Sequence, residues 1–163
     1  MSKTSNGSYR NKKVGILGAG QFATAIANLI AQNKDVLMYV YRTELLKAIR
    51  RNNTSSNQEL SPRVTVTNST KYLAENCDLI FIIVPSEFFK NYLDEITPFL
   101  KPNHLIVHGT KGLAVGWLDE QTSLSREDII TMSEMVRHNT GIKRLGCISG
   151  PNLAKELAEG YPT

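Results

Sequence analysis

Residues 13–23 constrain the fold of this chain more than any other stretch. A short apolar run, Lys13-Val14-Gly15-Ile16-Leu17, breaks into Gly18-Ala19-Gly20-Gln21-Phe22-Ala23. A helical pattern follows, with Ala23, Ile26, Ala27 and Ile30 on one face. Strand, glycine turn and helix in that order have a physical logic. Gly18 permits the tight turn, Gly20 lets backbone come close to a ligand, and Ala23 is small enough for the helix to pack on the strand. The first turn of such a helix offers free N–H groups and the positive end of its dipole, which suits a phosphate. The pattern G-x-G-x-x-A in this context is an accepted form of the dinucleotide-binding fingerprint.

The rest of the chain repeats the alternation. Strands are expected at 36–41, 64–66, 79–84, 105–108 and 145–149. Helices are expected at 24–32, 43–51, 69–75, 87–96, 128–137 and 151–159. Thr43 and Ser86 read as N-caps and Pro151 as a first helical position, with Leu46 and Ile49 facing inward. Residues 79–84 are apolar at every position, as a parallel strand covered on both faces should be. This predicts an α/β fold: a Rossmann-like, doubly wound, mostly parallel sheet with helices on both faces. Ligands of such sheets bind at the carboxyl ends of the strands.

Composition narrows the classes. The chain has 163 residues, 41% hydrophobic and 21% charged, enough for one domain with a real core. Residues 1–11 are polar and read as a disordered tail or an expression remnant, leaving 12–163 as the domain. They lack the apolar region of a secretory signal, so the default location is cytoplasmic. No run approaches the ~18 apolar residues that span a bilayer, so no stable membrane association is expected. The formal charge of +4 comes from scattered residues. The densest cluster, Lys47, Arg50 and Arg51, reads as a solvated helix face, and no aromatic-plus-basic stripe points to nucleic acid. The excess charge instead suits phosphorylated ligands. Cys77 and Cys147 read as two buried free thiols, and no zinc or other metal site is expected. Residues 113–127 resist assignment, with Trp117 read as a buried anchor.

Four further strand ends carry chemistry. The second strand runs out at Tyr41-Arg42, where an NAD site usually has an acid for the ribose 2′-hydroxyl. Arg42 instead suits a 2′-phosphate, which favours NADP and leaves NAD open. Val84-Pro85-Ser86 falls beside the nicotinamide half of a bound dinucleotide. In His108-Gly109-Thr110-Lys111-Gly112, a lysine between glycines is placed to reach an anion, and His108 reads as a packed strand-end residue. Ser149-Gly150-Pro151-Asn152-Leu153-Ala154-Lys155-Glu156 reads as another helix start facing the cleft.

Taken together, these motifs resemble the N-terminal half of NAD(P)-dependent glycerol-3-phosphate dehydrogenases. The glycine loop with its following Thr-Ala-x-Ala, then V-P-S, T-K-G and S-G-P-[SN]-x-A-x-E, come in that family's order and spacing over nearly all of the chain after residue 12. The residues 159–163 match a further turn of the family. The resemblance implies cofactor contacts at Gly18, Gly20, Gln21, Phe22, Ala23, Arg42, Pro85, Lys111 and Ala154. It implies substrate contacts at Lys111, Gly150 and Asn152. The implied cofactor is NADP or NAD, and the implied reaction is hydride transfer between dihydroxyacetone phosphate and sn-glycerol 3-phosphate. The departures are mild: Ala23 for the third glycine, Phe22 for a usual tryptophan, Asn152 for a serine common in bacterial members.

One departure is large. In this family a second, helical domain carries the lysine that acts as general acid/base, together with an Arg-Asn pair. The chain ends at Thr163, so no catalytic residue is expected in it, it reads as a fragment, and negligible turnover is expected. A homodimer would belong to the full-length enzyme. The rivals are another two-domain dehydrogenase, of the ketopantoate reductase or 3-hydroxyacyl-CoA dehydrogenase type, and a stand-alone dinucleotide-sensing module.

Overall fold

A computed structural model describes residues 12–115 and 125–161. The tail 1–11, Trp117 and the last two residues of the terminal motif lie outside the described residues.

The chain alternates as expected. β1 (Lys13–Leu17) leads into α1 (Gln21–Ala31), β2 (Val36–Tyr39) and α2 (Thr43–Asn52). A small hairpin follows, β3 (Thr54–Ser55) and β4 (Gln58–Glu59), then β5 (Val64–Thr67), α3 (Thr70–Asn76), β6 (Cys77–Ile82) and α4 (Ser86–Ile96). The last third holds β7 (Leu105–His108), β8 (Leu113–Val115), β9 (Ile129–Thr131), α5 (Met132–Asn139), β10 (Arg144–Cys147) and α6 (Ala154–Ala158). The six-stranded sheet has the order β10-β7-β6-β1-β2-β5, with every pairing parallel. The winding changes direction between β1 and β6, and the crevice at such a switch point is where these folds bind ligands.

Strand alternation divides the core between the two faces. Leu17, Leu37, Tyr39, Ile80, Ile82 and Ile106 meet Leu73 of α3, Phe89, Leu93 and Ile96 of α4, and Met132, Met135 and Val136 of α5. Ile16, Val36, Met38 and Val40 meet Ala23, Ile26, Ala27 and Ala31 of α1 and Leu46 and Ile49 of α2. Alanines supply much of the α1 contact, so this helix can lie close to β1 and bring its N-terminus to the strand ends. At the amino ends of the strands, away from the glycine loop, buried Asp78 is paired to Lys12 at 2.6 Å and accepts from the Asn103 amide at 3.1 Å.

Several boundaries differ from the sequence reading. β6 starts two residues earlier than 79, and Ile83 and Val84 follow its end, though the Ile83 N–H still donates to the Leu17 carbonyl at 2.9 Å. Residue 42 rather than Thr43 caps α2, and Pro85 rather than Ser86 caps α4, neither with a side-chain bond. The helix expected over 128–137 splits. Its β-branched start, Ile129-Ile130-Thr131, pairs with β8, and the helix begins only at Met132. There Thr131 and Glu134 form a reciprocal capping box, which fixes that start. The last helix is five residues long and begins at Ala154, so Pro151 precedes it and residues 150–153 are a turn rather than a helix N-terminus. Cys77 is buried as expected, but Cys147 is exposed: it ends β10, which among the described residues is an edge strand of the sheet.

Candidate functional site

The glycine loop is built by two different constraints. Gly18 has φ of +129°, and a Cβ there would lie 2.1 Å from the Ile83 carbonyl oxygen. Only glycine lets the turn press against the end of β6. Gly20 is ordinary extended backbone (φ −77°), and a Cβ there would meet nothing within 4 Å. Its open side is the cleft, so glycine at 20 leaves room for a ligand rather than relieving strain. Gly20 caps α1 without a side-chain bond, the first turn has no acid, and the helical ladder starts with Thr24 N–H to Gly20 O at 2.9 Å. The amides of Gln21, Phe22 and Ala23 therefore have no intrahelical acceptor and stand available for an anion.

The hairpin that sequence reasoning missed braces this loop. The Ser55 and Ser56 hydroxyls both donate to the Ala19 carbonyl, at 3.2 and 2.9 Å, and the Thr24 hydroxyl donates to Gly20 O at 2.9 Å with Ser55 Oγ 3.1 Å away. Ser56 and Asn57 turn the hairpin with φ of +47° and +64°. A two-residue turn with both φ values positive is a type I′ turn. Its usual Asn-Gly signal is replaced here by Ser-Asn, which hides it.

A cleft of about 1520 Å³ runs along the carboxyl ends of the strands. Its walls include Gly18, Gly20, Gln21, Phe22, Ala23, Arg42, Pro85, Lys111 and Ala154. A second cavity of about 350 Å³ opens beside it, lined by Lys111, Gly150 and Asn152 among others. Phe22, Gly109, Thr110, Lys111 and Asn152 line both. The Phe22 ring lies over Gly109, where a Cβ would come within 3.2 Å of it. All the candidate residues named from sequence thus line one or both of two hollows that share these five wall residues.

The Lys111 loop is held by its neighbours. The Gly109 N–H donates to the Ile82 carbonyl at 2.9 Å, the buried Thr110 hydroxyl donates to the Val84 carbonyl at 2.7 Å, and the Ile148 N–H donates to the His108 carbonyl at 2.8 Å. Gly112 (φ +109°) and Gly150 (φ +136°) turn the chain on either side of the second cavity. His108 is packed, as expected: its ring lies edge-on to Phe89 and its Nε2 pairs with the Ser133 hydroxyl at 2.8 Å. Burial lowers its proton affinity, and the Thr110 backbone opposes this in part without reaching hydrogen-bond geometry.

The far end of the cleft is aromatic, which the sequence reading did not anticipate. Tyr41 and Phe88 are exposed there, and the Tyr92 ring lies 5.9 Å from both Tyr39, edge-to-face, and Tyr41, tilted. The Tyr39 hydroxyl donates to Glu95 at 2.7 Å, and burial followed by that carboxylate holds the phenol above its ordinary range. The spacing of Phe88, Tyr92 and Glu95 along α4 was the available signal, but Phe89 and Leu93 beside them read equally well as a core face. Arg42 and Lys111 against Glu95 leave the lining charges with a positive excess, which favours an anionic ligand.

The strand order, the winding reversal and the glycine loop define a Rossmann-like domain. Comparison with known proteins then specifies it. The family model described as the N-terminus of NAD-dependent glycerol-3-phosphate dehydrogenase matches residues 13–163, and the chain belongs to that family. It is 32% identical over 158 residues to a glycerol-3-phosphate dehydrogenase [NAD(P)+] of Syntrophobacter fumaroxidans, covering 92% of this chain and 43% of the relative. Among solved structures, a glycerol-3-phosphate dehydrogenase from Coxiella burnetii superposes with a TM-score of 0.77 at 26% identity, covering 94% of this chain and 45% of that one. One from Saccharomyces cerevisiae, at 19% identity, a TM-score of 0.75 and coverage of 92% and 45%, shares the fold. The chain spans less than half the length of each of these.

Proposed function

We propose that this chain is the cofactor-binding half of a glycerol-3-phosphate dehydrogenase, taking NADP or NAD in the long cleft and the phosphorylated triose in the smaller cavity. The observation that carries it is that the two hollows share Phe22, Lys111 and Asn152 in their walls, with the phosphate-type loop lining the longer one. A bound nicotinamide supplies the hydride chemistry that interconverts dihydroxyacetone phosphate and sn-glycerol 3-phosphate. The residues of this chain place and neutralise. Free amides at the start of α1 hold the pyrophosphate, with Gly20 giving it room. Arg42 meets a 2′-phosphate, so NADP is preferred. Pro85 and Ala154 bound the cofactor, Gly150 and Asn152 hold the substrate, and Lys111 offsets negative charge where the hollows join. The proton on the substrate C2 oxygen is handled by a lysine of the helical second domain of the full-length enzyme, so residues 12–163 alone turn over negligibly. That enzyme is a cytoplasmic homodimer; among the described residues no helix is long and apolar enough to cross a membrane.

Calorimetric titration with NADPH and NADH tests this. Micromolar binding is expected, tighter for NADPH, and weakened by Lys111→Ala. Binding of neither dinucleotide overturns the reading; equal or tighter NADH binding overturns the role of Arg42 alone.

A further inference from the structure

The hairpin that braces the glycine loop also sets the direction of one of its amides. The Ala19 carbonyl accepts from the Ser56 hydroxyl at 2.9 Å and from the Ser55 hydroxyl at 3.2 Å. No described peptide bond is cis, and in a planar trans peptide the C=O and the N–H point in opposite directions. With the carbonyl turned to the hairpin, the Gly20 N–H therefore points away from it. That N–H has no acceptor among the described residues, and Gly20 is exposed and lines the long cleft. Asn28 of α1 fixes the hairpin in this place: its amide donates to the Glu59 carbonyl at 2.8 Å, and its Oδ1 accepts from the Ser61 N–H at 2.9 Å. The left-handed backbone at Ser56 matters here. Neighbouring residues of an extended strand point to opposite faces, whereas φ of +47° lets Ser55 and Ser56 reach the same carbonyl.

We infer that Ser55 and Ser56 are positioning residues for the diphosphate of the bound ligand: they hold the Ala19–Gly20 peptide so that the Gly20 N–H joins the amides at the start of α1 as an anion donor. The glycine itself cannot do this. Without a Cβ, Gly20 gives little resistance to rotation of the peptide plane before it, and the open space that admits the ligand leaves no packing to resist it. Rotation by half a turn replaces the N–H with the carbonyl oxygen, whose partial negative charge repels a phosphate. Two hydroxyls on that carbonyl oppose the rotation. Ser56 lines the cleft, but its one proton is committed to the Ala19 oxygen and the diphosphate oxygens are acceptors only, so it acts through the peptide rather than on the ligand. Ser55 is 1% exposed and lines neither cavity. That the ligand is a dinucleotide rests on the function proposed above; the aim of the N–H does not.

The test is amide NMR of the isotopically labelled chain, with calorimetry, on the parent and on Ser55→Ala/Ser56→Ala. In the parent, NADPH should move the Gly20 and Phe22 amide protons downfield, as charge-assisted hydrogen bonds to phosphate oxygens do. In the double variant the Gly20 shift should be lost while the Phe22 shift stays, and the dissociation constant of NADPH should rise about tenfold. The Leu60 amide, which closes the hairpin on the Asn53 carbonyl at 2.8 Å, should exchange as slowly as in the parent. Ser56→Ala alone removes the shorter bond from a partly exposed side chain and should give part of both losses, so the inference stays testable if the double variant does not fold. Parallel loss of the Gly20 and Phe22 shifts, a Gly20 shift kept in full by the variants, or a parent Gly20 amide that stays still while calorimetry shows NADPH bound, overturns the inference. If the parent binds no dinucleotide, the functional reading fails instead. Inorganic pyrophosphate then serves as the probe, and a parent Gly20 amide that it leaves unmoved overturns the inference on its own.

Discussion

Gly18→Ala and Gly20→Ala change the same atom in the same loop, and the structure assigns them opposite consequences. At Gly18 an alanine must hold φ near +129° and put its Cβ 2.1 Å from a backbone oxygen. The dihedral alone costs about 1–3 kcal/mol. Relieving the clash means moving Ile83, whose N–H bonds Leu17 across β1 and β6, at about 0.5–1.5 kcal/mol for that hydrogen bond. The sum, about 1.5–4.5 kcal/mol, is a large part of the 5–15 kcal/mol that typically holds a domain together. At Gly20 the dihedrals suit alanine and nothing lies within 4 Å of its Cβ, so stability should change by less than about 1 kcal/mol. That methyl group, however, projects into the cleft and keeps the pyrophosphate from the amides of α1. Dinucleotide binding should weaken about ten- to a hundredfold, equivalent to about 1.4–2.8 kcal/mol. Urea unfolding and calorimetric titration of both variants read the two effects separately. A Gly20→Ala chain as unstable as Gly18→Ala, or one that binds NADPH with undiminished affinity, would refute this account of the loop.

Thr110→Val deletes the hydroxyl that satisfies the buried end of the Val84 carbonyl. It should cost about 1–3 kcal/mol by urea denaturation and weaken cofactor binding through the loosened Lys111 loop. Arg42→Ala should raise the dissociation constant of NADPH while leaving that of NADH nearly unchanged; a parallel loss for both would show that Arg42 does not read the 2′-phosphate. For His108, burial puts the folded pKa below the unfolded value of 6.5, so the unfolded chain binds the extra proton first. Its contribution is present above pH 6.5 and is lost as pH falls through the folded pKa. His108→Gln should therefore flatten the decline in stability below pH 6.5, and an unchanged slope would show that another group causes it.

Sequence reasoning reached the sheet because its signals are strong and local. The run at 79–84 can hardly be anything but a strand covered on both faces, and Gly18-x-Gly20-x-x-Ala23 between strand and helix places the phosphate-type loop. The elements it missed are those whose signal is conformational rather than compositional. Ser56-Asn57 forms a positive-φ turn without a glycine. Ile129-Ile130-Thr131 suits a strand or a helix start equally until β8 is there to pair with it. Residues 150–153 look like a helix N-terminus because proline favours that position, yet the φ of +136° at Gly150 turns the chain first and delays the helix to Ala154. The exposure of Cys147 depends on β10 being an edge strand, which is a property of the sheet order and not of the residues around it.

The central claim is that a dinucleotide lies along the carboxyl ends of the strands with its phosphates at the start of α1. Backbone amide NMR of the isotopically labelled chain during titration with NADPH tests it most directly. The account predicts that the largest shifts fall on Gly20, Gln21 and Phe22, with further shifts at Gly109 and Lys111, and that Asp78 and Asn103 at the amino ends of the strands stay still. Shifts centred on Asp78 and Asn103, or saturating NADPH with no change at the glycine loop, would contradict it.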